Sequence, residues 1–230
     1  MTLDTIVFAA VVGLRFLVPL RIPRFPLPAI LVCLIIDAAD QSIFQQFTNL
    51  NLDGYQTYDK ALDVFYLSIA YVAVLRNWVS GPLVMTVIFL WYYRLVGVVI
   101  FEFTGERWYL VIFANTFEYF FILVEIYRQT RRPDRLTWKW ILTAVALLWV
   151  CIKIPQELWI HVAQWDVTDV LKEHIFGVEI DSSWATSLGH RPLVTAGIAI
   201  MMAVLIVSVL RLIRFEVKAD SQGFIPQGHD

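Results

Sequence analysis

The chain has 230 residues, of which 59% are hydrophobic and 17% charged, and its mean hydropathy is +0.66. A soluble domain carries roughly 25% charged residues, so this composition excludes an ordinary soluble globular protein. The formal net charge of −2 gives the chain no basic excess for a nucleic acid, and we expect no nucleic-acid partner.

Apolar runs long enough to cross a bilayer follow one another along the chain. A helix needs about 20 mostly apolar residues to span the hydrocarbon core, and runs without strict alternation favour helices over strands. The runs predict seven transmembrane helices, at about residues 3–20, 27–47, 58–75, 83–103, 108–127, 138–161 and 192–212. The sequence thus predicts an all-α membrane protein, a single seven-helix bundle over residues 1–215 with a polar cytoplasmic tail at 216–230. Such a bundle has membrane lipids as its partners, and we predict a multi-pass protein of the cell membrane.

The polar segment 162–191, between the sixth and seventh predicted helices, contains a shorter periodic stretch. Val167, Val170, Leu171 and His174 recur there at the spacing of one helical face. We therefore predict a short amphipathic helix in this outer loop, lying on the membrane surface or covering the bundle.

Basic residues are distributed unevenly between the predicted loops. One set of loops contains 11 Lys and Arg residues, the other contains four, and the remaining three of the 18 lie within predicted helices. Lys and Arg are enriched in cytoplasmic loops. The larger set therefore marks the cytoplasmic side, which puts the N-terminus outside the cell and the C-terminus inside it.

Ionisable and amide side chains recur inside five of the predicted helices. Such groups are costly in a membrane and usually face the interior of the bundle. In the four helices that carry more than one of them, they are spaced three or four residues apart, which places them on one face. They are Asp37, Asp40 and Gln41 in the second helix, Asp59 and Asp63 in the third, Arg94 in the fourth, Asn115 and Glu118 in the fifth, and Lys153, Gln156, Glu157 and His161 in the sixth.

The depth of these groups predicts a shared site. At about 1.5 Å of rise per residue, Asp37, Arg94 and Glu118 lie near the midplane of the membrane. Arg94 keeps its charge and needs a carboxylate, so we expect it to pair with Asp37 or Glu118. The sequence thus predicts a polar cavity that opens to the outside above this floor. Its predicted walls are Asp40, Gln41, Asn115, Lys153 and Glu157, whereas we expect Arg15 of the first helix to reach towards the cytoplasmic surface.

The residue types in this predicted cavity are those of acid–base chemistry and polar binding. The spacing matches no recognised metal-binding motif, so we predict no metal site, and nothing in the sequence indicates a particular cofactor. The candidate catalytic residues are Asp37, Asp40, Glu118, Lys153 and Glu157, and the candidate substrate-binding residues are Gln41, Arg94, Asn115, Gln156 and His161.

A one-sided polar cavity among aromatic-rich helices favours a membrane-embedded enzyme or binder of an amphiphilic substrate, such as a lipid or an isoprenoid. A small-solute or proton-coupled transporter is the first alternative, since relays also use buried acids and bases. A seven-helix receptor or sensor is the second, and it rests on topology alone. A purely structural role is also open for Asp37, Arg94 and Glu118. These three residues would then form a buried cluster that only fixes the register of the helices.

Overall fold

The fold is all-α throughout residues 3–48, 55–130, 136–163 and 167–221, the part of the chain that the computed structural model describes. The helices are α1 (Leu3–Leu17), α2 (Pro26–Phe47), α3 (Tyr55–Asn77), α4 (Gly81–Thr104), α5 (Trp108–Ile112), α6 (Thr116–Thr130), α7 (Trp138–Val162), α8 (167–176), α9 (Trp184–His190) and α10 (Pro192–Ser221).

Six helical segments of the described residues are long and apolar enough to cross a membrane, which makes the chain a polytopic membrane protein. These segments are Leu3–Arg21, Pro26–Phe47, Gly81–Thr104, Trp108–Gln129, Trp138–Val162 and Pro192–Leu212. Helix α3 corresponds to the predicted third span but is not among the six. Its 23 residues include Asp59, Lys60, Asp63 and Arg76, which leave it without a sufficiently apolar window.

Prolines shape the tight connection between α1 and α2. Pro19 opens a short 3₁₀ turn after α1, and Pro26 begins α2, where its missing N–H costs no helical hydrogen bond. The side chain of Asn77, at the end of α3, donates a hydrogen bond to the carbonyl of Pro23 at 3.0 Å. We call this side of the bundle the Asn77 end.

The opposite side of the bundle is marked by aromatic contacts between α1 and α3. The rings of Phe8 and Tyr58 lie 6.4 Å apart, and Tyr55 begins α3 on the same side. We call this side the Tyr55 end. It corresponds to the side that the distribution of Lys and Arg predicts to be outside.

The fifth predicted span is confirmed as a segment able to cross a membrane, Trp108–Gln129, but its helix is interrupted. Helix α5 ends at Ile112, α6 begins at Thr116, and residues 113–115 between them are not helical. Helix α4 passes very close to this break, because a Cβ on Gly97 would lie 2.1 Å from the Cβ of Phe113. Irregular backbone at this depth needs polar partners from the protein, and the carbonyl of Phe113 accepts a hydrogen bond from Arg94 at 3.2 Å.

Helix α7 is continuous but locally widened into π-helical turns. These turns cover Leu148–Lys153 and Leu158–Val162, and the short α-helical stretch between them contains Pro155. Proline cannot donate the usual helical hydrogen bond, and π turns occur frequently at functional sites. The irregular part of α7 therefore coincides with the part that carries its polar side chains.

Helix α6 supplies the centre of the apolar core. It packs against α2, α4 and α7, and four of its side chains are fully buried: Phe117, Phe120, Phe121 and Val124. Fully burying a side chain of this size stabilises a fold by about 1.5–3 kcal/mol in water, although lipid is a weaker competitor. Phe120, Phe121 and Val124 form an apolar layer in the sequence interval between Glu118 and Glu125.

The structure confirms a helix in the loop between the sixth and seventh predicted spans. The last helix, α10, is longer than predicted. Helix α8 lies where the amphipathic stretch was predicted, and its position on a membrane surface stays a prediction. Helix α10 continues to Ser221, beyond the predicted end at 212 and into the predicted polar tail at 216–230. Residues 222–230 of that tail lie outside the described residues. Helix α10 contacts α2, and most of its described side chains are exposed.

Candidate functional site

Arg15 is the centre of the larger polar group, which we call the Arg15 cluster. Its guanidinium forms ion pairs with Asp37 and Asp40 of α2, and with Asp59 at 3.1 Å and Asp63 at 3.3 Å on α3. The Arg15 residue is only 5% exposed. The expectation that Arg15 reaches the cytoplasmic surface was therefore wrong, because four carboxylates bind it inside the bundle.

Two further residues of α3 complete this cluster. The ammonium group of Lys60 donates to Asp59 at 2.8 Å and to Asp63 at 3.2 Å, and the hydroxyl of Tyr55 donates to Asp40. With all groups ionised, four carboxylates face the two cations Arg15 and Lys60, which leaves a surplus of two negative charges. Buried charges require such pairing, so the network explains how α3 carries its acids into the bundle.

Three of these aspartates are close enough to share a cation. Asp37, Asp59 and Asp63 each offer an oxygen within 4.8 Å of the other two. Carboxylate oxygens are the ligands of hard cations such as Mg²⁺ and Ca²⁺. All three, however, already contact Arg15 or Lys60, so ion pairing within the protein accounts for their approach.

Tyr66 connects α3 to Glu118 of α6. Its hydroxyl donates to Oε2 of Glu118 at 2.5 Å, and the side-chain amide of Asn115 donates to the same oxygen at 2.7 Å. Among the described residues, Glu118 forms no ion pair. The carboxylate of Glu118 is thus held by neutral donors and is not the direct partner of Arg94.

A second polar group surrounds Glu157 of α7 beside the break in the fifth span. Oε2 of Glu157 lies 3.0 Å from Nε2 of His161, and Oε1 lies 3.5 Å from Nζ of Lys153. The backbone N–H of Asn115, left free by the break, donates to Oε1 at 3.4 Å. The charge of Arg94 also attracts this carboxylate. We call Arg94, Asn115, Lys153, Glu157 and His161 the Glu157 cluster.

Gln156 and Gln41 have different surroundings, although both were predicted to bind substrate. Gln156 accepts hydrogen bonds from Lys153 at 3.0 Å and from the hydroxyl of Tyr119 at 3.3 Å, so it lies beside the Glu157 cluster. The side chain of Gln41 is exposed on α2 and has no contact with either cluster in the described structure. The role of Gln41 in the wall of a shared cavity stays a prediction.

The predicted floor does not form as one group. Asp37 binds Arg15, Glu118 binds Tyr66 and Asn115, and Arg94 binds the carbonyl of Phe113. The structure thus distributes the predicted site residues between the Arg15 cluster and the Glu157 cluster, with Tyr66 and Glu118 between them. Whether any of them act on a substrate stays a prediction.

Three buried polar atoms of the Glu157 cluster have no hydrogen-bond partner in the described part of the chain. They are Nε of Arg94, Oδ1 of Asn115 and Nδ1 of His161, and each of these residues is 3% exposed. Buried polar atoms are nearly always paired, and an unpaired one costs about 1–3 kcal/mol. The Glu157 cluster therefore keeps three hydrogen-bonding atoms that the described residues do not pair.

Two small cavities are present, one beside each of the two clusters. One is lined by Arg15, Cys33 and Tyr66 among others, and the second by Arg94 and five apolar side chains. Each has a volume of about 10 Å³, which is near the minimum for one water molecule. A wider cavity that opens to the outside stays a prediction.

A separate ion pair lies at the Asn77 end. Glu125 accepts hydrogen bonds from the indole N–H of Trp78 at 2.7 Å and from Arg128 at 2.8 Å, and Arg128 also donates to the carbonyl of Asn77 at 3.3 Å. The buried aromatic side chains of α6, including Phe121, lie between this pair and Glu118. Glu125 is therefore a partnered group that belongs to neither cluster.

The two clusters, once located, can be compared with known proteins. No family model, no curated protein and no solved structure matches this chain.

Proposed function

We propose that the protein is a membrane-embedded enzyme or binder of an amphiphilic substrate, whose polar head binds at the Glu157 cluster. The observation that carries this proposal is the set of three unpartnered polar atoms on Arg94, Asn115 and His161. Ligand sites combine a mostly apolar lining with a few convergent polar groups. Glu157 and Lys153 add an acid and a base at the same place, as general acid–base chemistry requires.

The surroundings of Arg94 support a ligand with an apolar part. Arg94 is the one charged residue lining its cavity, and every other side chain there is apolar. A tail would lie against these side chains while the head remains at the polar cluster. They are Val64, Leu67, Trp91, Leu95 and Phe117, contributed by α3, α4 and α6.

The one-sided distribution of polar groups favours this proposal over transport. The apolar layer of α6 separates Glu118 from Glu125, so the described residues form no continuous polar path between the two ends. The break between α5 and α6 is the specific feature that favours a transporter as the second candidate, because transporters bind their substrates at interrupted helices. A transporter would need a second conformation in which the apolar layer opens.

The proposal includes seven spans, with α3 as the additional one, the N-terminus outside and the C-terminus in the cytoplasm. A helix of 23 residues is about 34 Å long, which suffices to cross the hydrocarbon core. Its acids are compatible with that position because Arg15 and Lys60 neutralise most of them. We expect a cysteine introduced in place of the exposed Glu106 to react with an impermeant thiol reagent added to intact cells, in a Cys33→Ser, Cys151→Ser background. Labelling only after the cells are opened contradicts this orientation.

The functional proposal is tested by changing one arginine at each end of the bundle. Arg94→Lys keeps the positive charge near Glu157 but removes the Nε donor and the planar fork. We expect wild-type protein purified in mild detergent to retain an enriched amphiphile, which mass spectrometry of extracted lipids detects. Arg94→Lys should lose most of it without a large change in melting temperature. Arg128→Lys makes the same chemical change at the Asn77 end and should retain it.

The other outcomes of this experiment separate the candidates. If the wild type and both variants carry the same lipids as the bulk membrane, the proposed binding site is wrong. Proteoliposomes containing a pH-sensitive dye test the alternative, since movement of protons or solute across the vesicle wall, lost in Arg94→Lys, favours a transporter.

A further inference from the structure

We infer that the polar head bound by the Glu157 cluster is an uncharged hydroxyl group, as in a long-chain or isoprenoid alcohol. This inference rests on the proposed function and names the chemistry of its ligand. It follows from the hydrogen-bonding types of the unpartnered atoms in the cluster.

The unpartnered atoms require a group that both donates and accepts hydrogen bonds. Nε of Arg94 is a donor, whereas Oδ1 of Asn115 is an acceptor. Nε2 of His161 faces Glu157 at 3.0 Å, which assigns the proton of a neutral imidazole to Nε2 and leaves Nδ1 as a second acceptor. The cluster therefore offers one donor and two acceptors to its ligand.

The three common polar heads of amphiphiles meet these atoms differently. An ionised phosphate only accepts, so its oxygens would face the acceptors of Asn115 and His161. An ammonium only donates, so it would face the donor of Arg94. A hydroxyl has one hydrogen and two lone pairs, so it accepts from Arg94 and donates to Asn115 or His161 at the same time.

The inference is tested with three probes that share one tail. Hexadecanol, hexadecyl phosphate and hexadecylamine are presented to the full-length wild-type protein in mixed micelles at equal concentrations, and native mass spectrometry counts the bound probe. We expect hexadecanol to bind at least about tenfold more tightly than either charged probe, because only the hydroxyl both accepts from Arg94 and donates to Asn115 or His161. Arg94→Lys should remove this preference and Arg128→Lys should not.

The other possible results show whether the hydroxyl assignment, or the amphiphile site as a whole, is wrong. A preference for the phosphate or the amine that is lost in Arg94→Lys supports an amphiphile site and overturns the hydroxyl assignment. Equal binding of all three probes, unchanged by Arg94→Lys, shows only partition of the tail and overturns the hydroxyl assignment as well. No binding of any probe to the wild type overturns both, and indicates that water alone pairs the three buried atoms.

Discussion

Replacing Arg15 with methionine is expected to lower the free energy of unfolding by about 3–5 kcal/mol, the cost of removing one partner from a buried ion pair. Arg15 contacts Asp37, Asp40, Asp59 and Asp63 at once, and only Lys60 remains as a cation in the cluster after the change. The stranded carboxylates must then take up protons or repel one another. The melting temperature of purified protein in one detergent should fall sharply.

Arg21→Met is the matched control for this prediction. Arg21 is exposed at the Asn77 end, and the change removes the same charge and adds the same side chain. It also alters the count of basic residues that orients the chain in the membrane, so a general effect on insertion would appear in both variants. Equal melting temperatures for Arg15→Met and wild type would show that the Arg15 cluster contributes no net stability. In that case the description of α3 as a helix stabilised by Arg15 is wrong.

The spacing of polar residues along one helix predicts their contacts well. Lys153, Glu157 and His161 were expected on one face of the sixth helix, and they do contact one another there. The same holds for Asn115 and Glu118, which hydrogen-bond directly. Contacts between residues three or four positions apart depend on helical geometry, which the sequence determines locally. This part of the candidate site could therefore be predicted from the sequence.

Contacts between helices could not be derived in the same way. Depth counting paired Arg94 with Asp37 or Glu118, but it ignored the length of an arginine side chain and the direction in which each helix faces. Arg15, counted near the opposite side of the membrane, reaches Asp37 instead. The four aspartates on the next two helices were the available signal, because so many buried acids require a nearby cation.

The break at 113–115 had no clear signal in the sequence either. Phe113 and Ala114 are ordinary helix-compatible residues, and no proline or glycine interrupts 108–127. The break depends on tertiary partners, namely Arg94 for the carbonyl of Phe113 and Glu157 for the N–H of Asn115. Backbone groups released at membrane depth can be tolerated only where such partners exist. The carboxylate of Glu157 is thus one of the groups that stabilise the irregular backbone.

Glu157→Gln and Glu118→Gln form the most informative pair of variants for the site, because the same chemical change should have very different costs. Both oxygens of Glu157 accept, Oε1 from the N–H of Asn115 and Oε2 from His161, and Lys153 also lies beside Oε1. An amide NH₂ must replace one of these oxygens and would face a donor. We expect Glu157→Gln to lower the free energy of unfolding by about 3–5 kcal/mol, since buried cations also lose their counterion.

Glu118→Gln should cost less than about 1 kcal/mol, because the donors from Tyr66 and Asn115 both converge on Oε2. A glutamine carbonyl can occupy that position and keep both hydrogen bonds, while its NH₂ group takes the place of Oε1. Thermal melts of the two variants and the wild type under identical conditions give the comparison. If Glu118→Gln is as damaging as Glu157→Gln, Glu118 has an ionic partner, and the original pairing with Arg94 regains support. If neither variant changes the melting temperature, Glu157 is not the anchor of the broken helix, and the binding site proposed around it loses its structural basis.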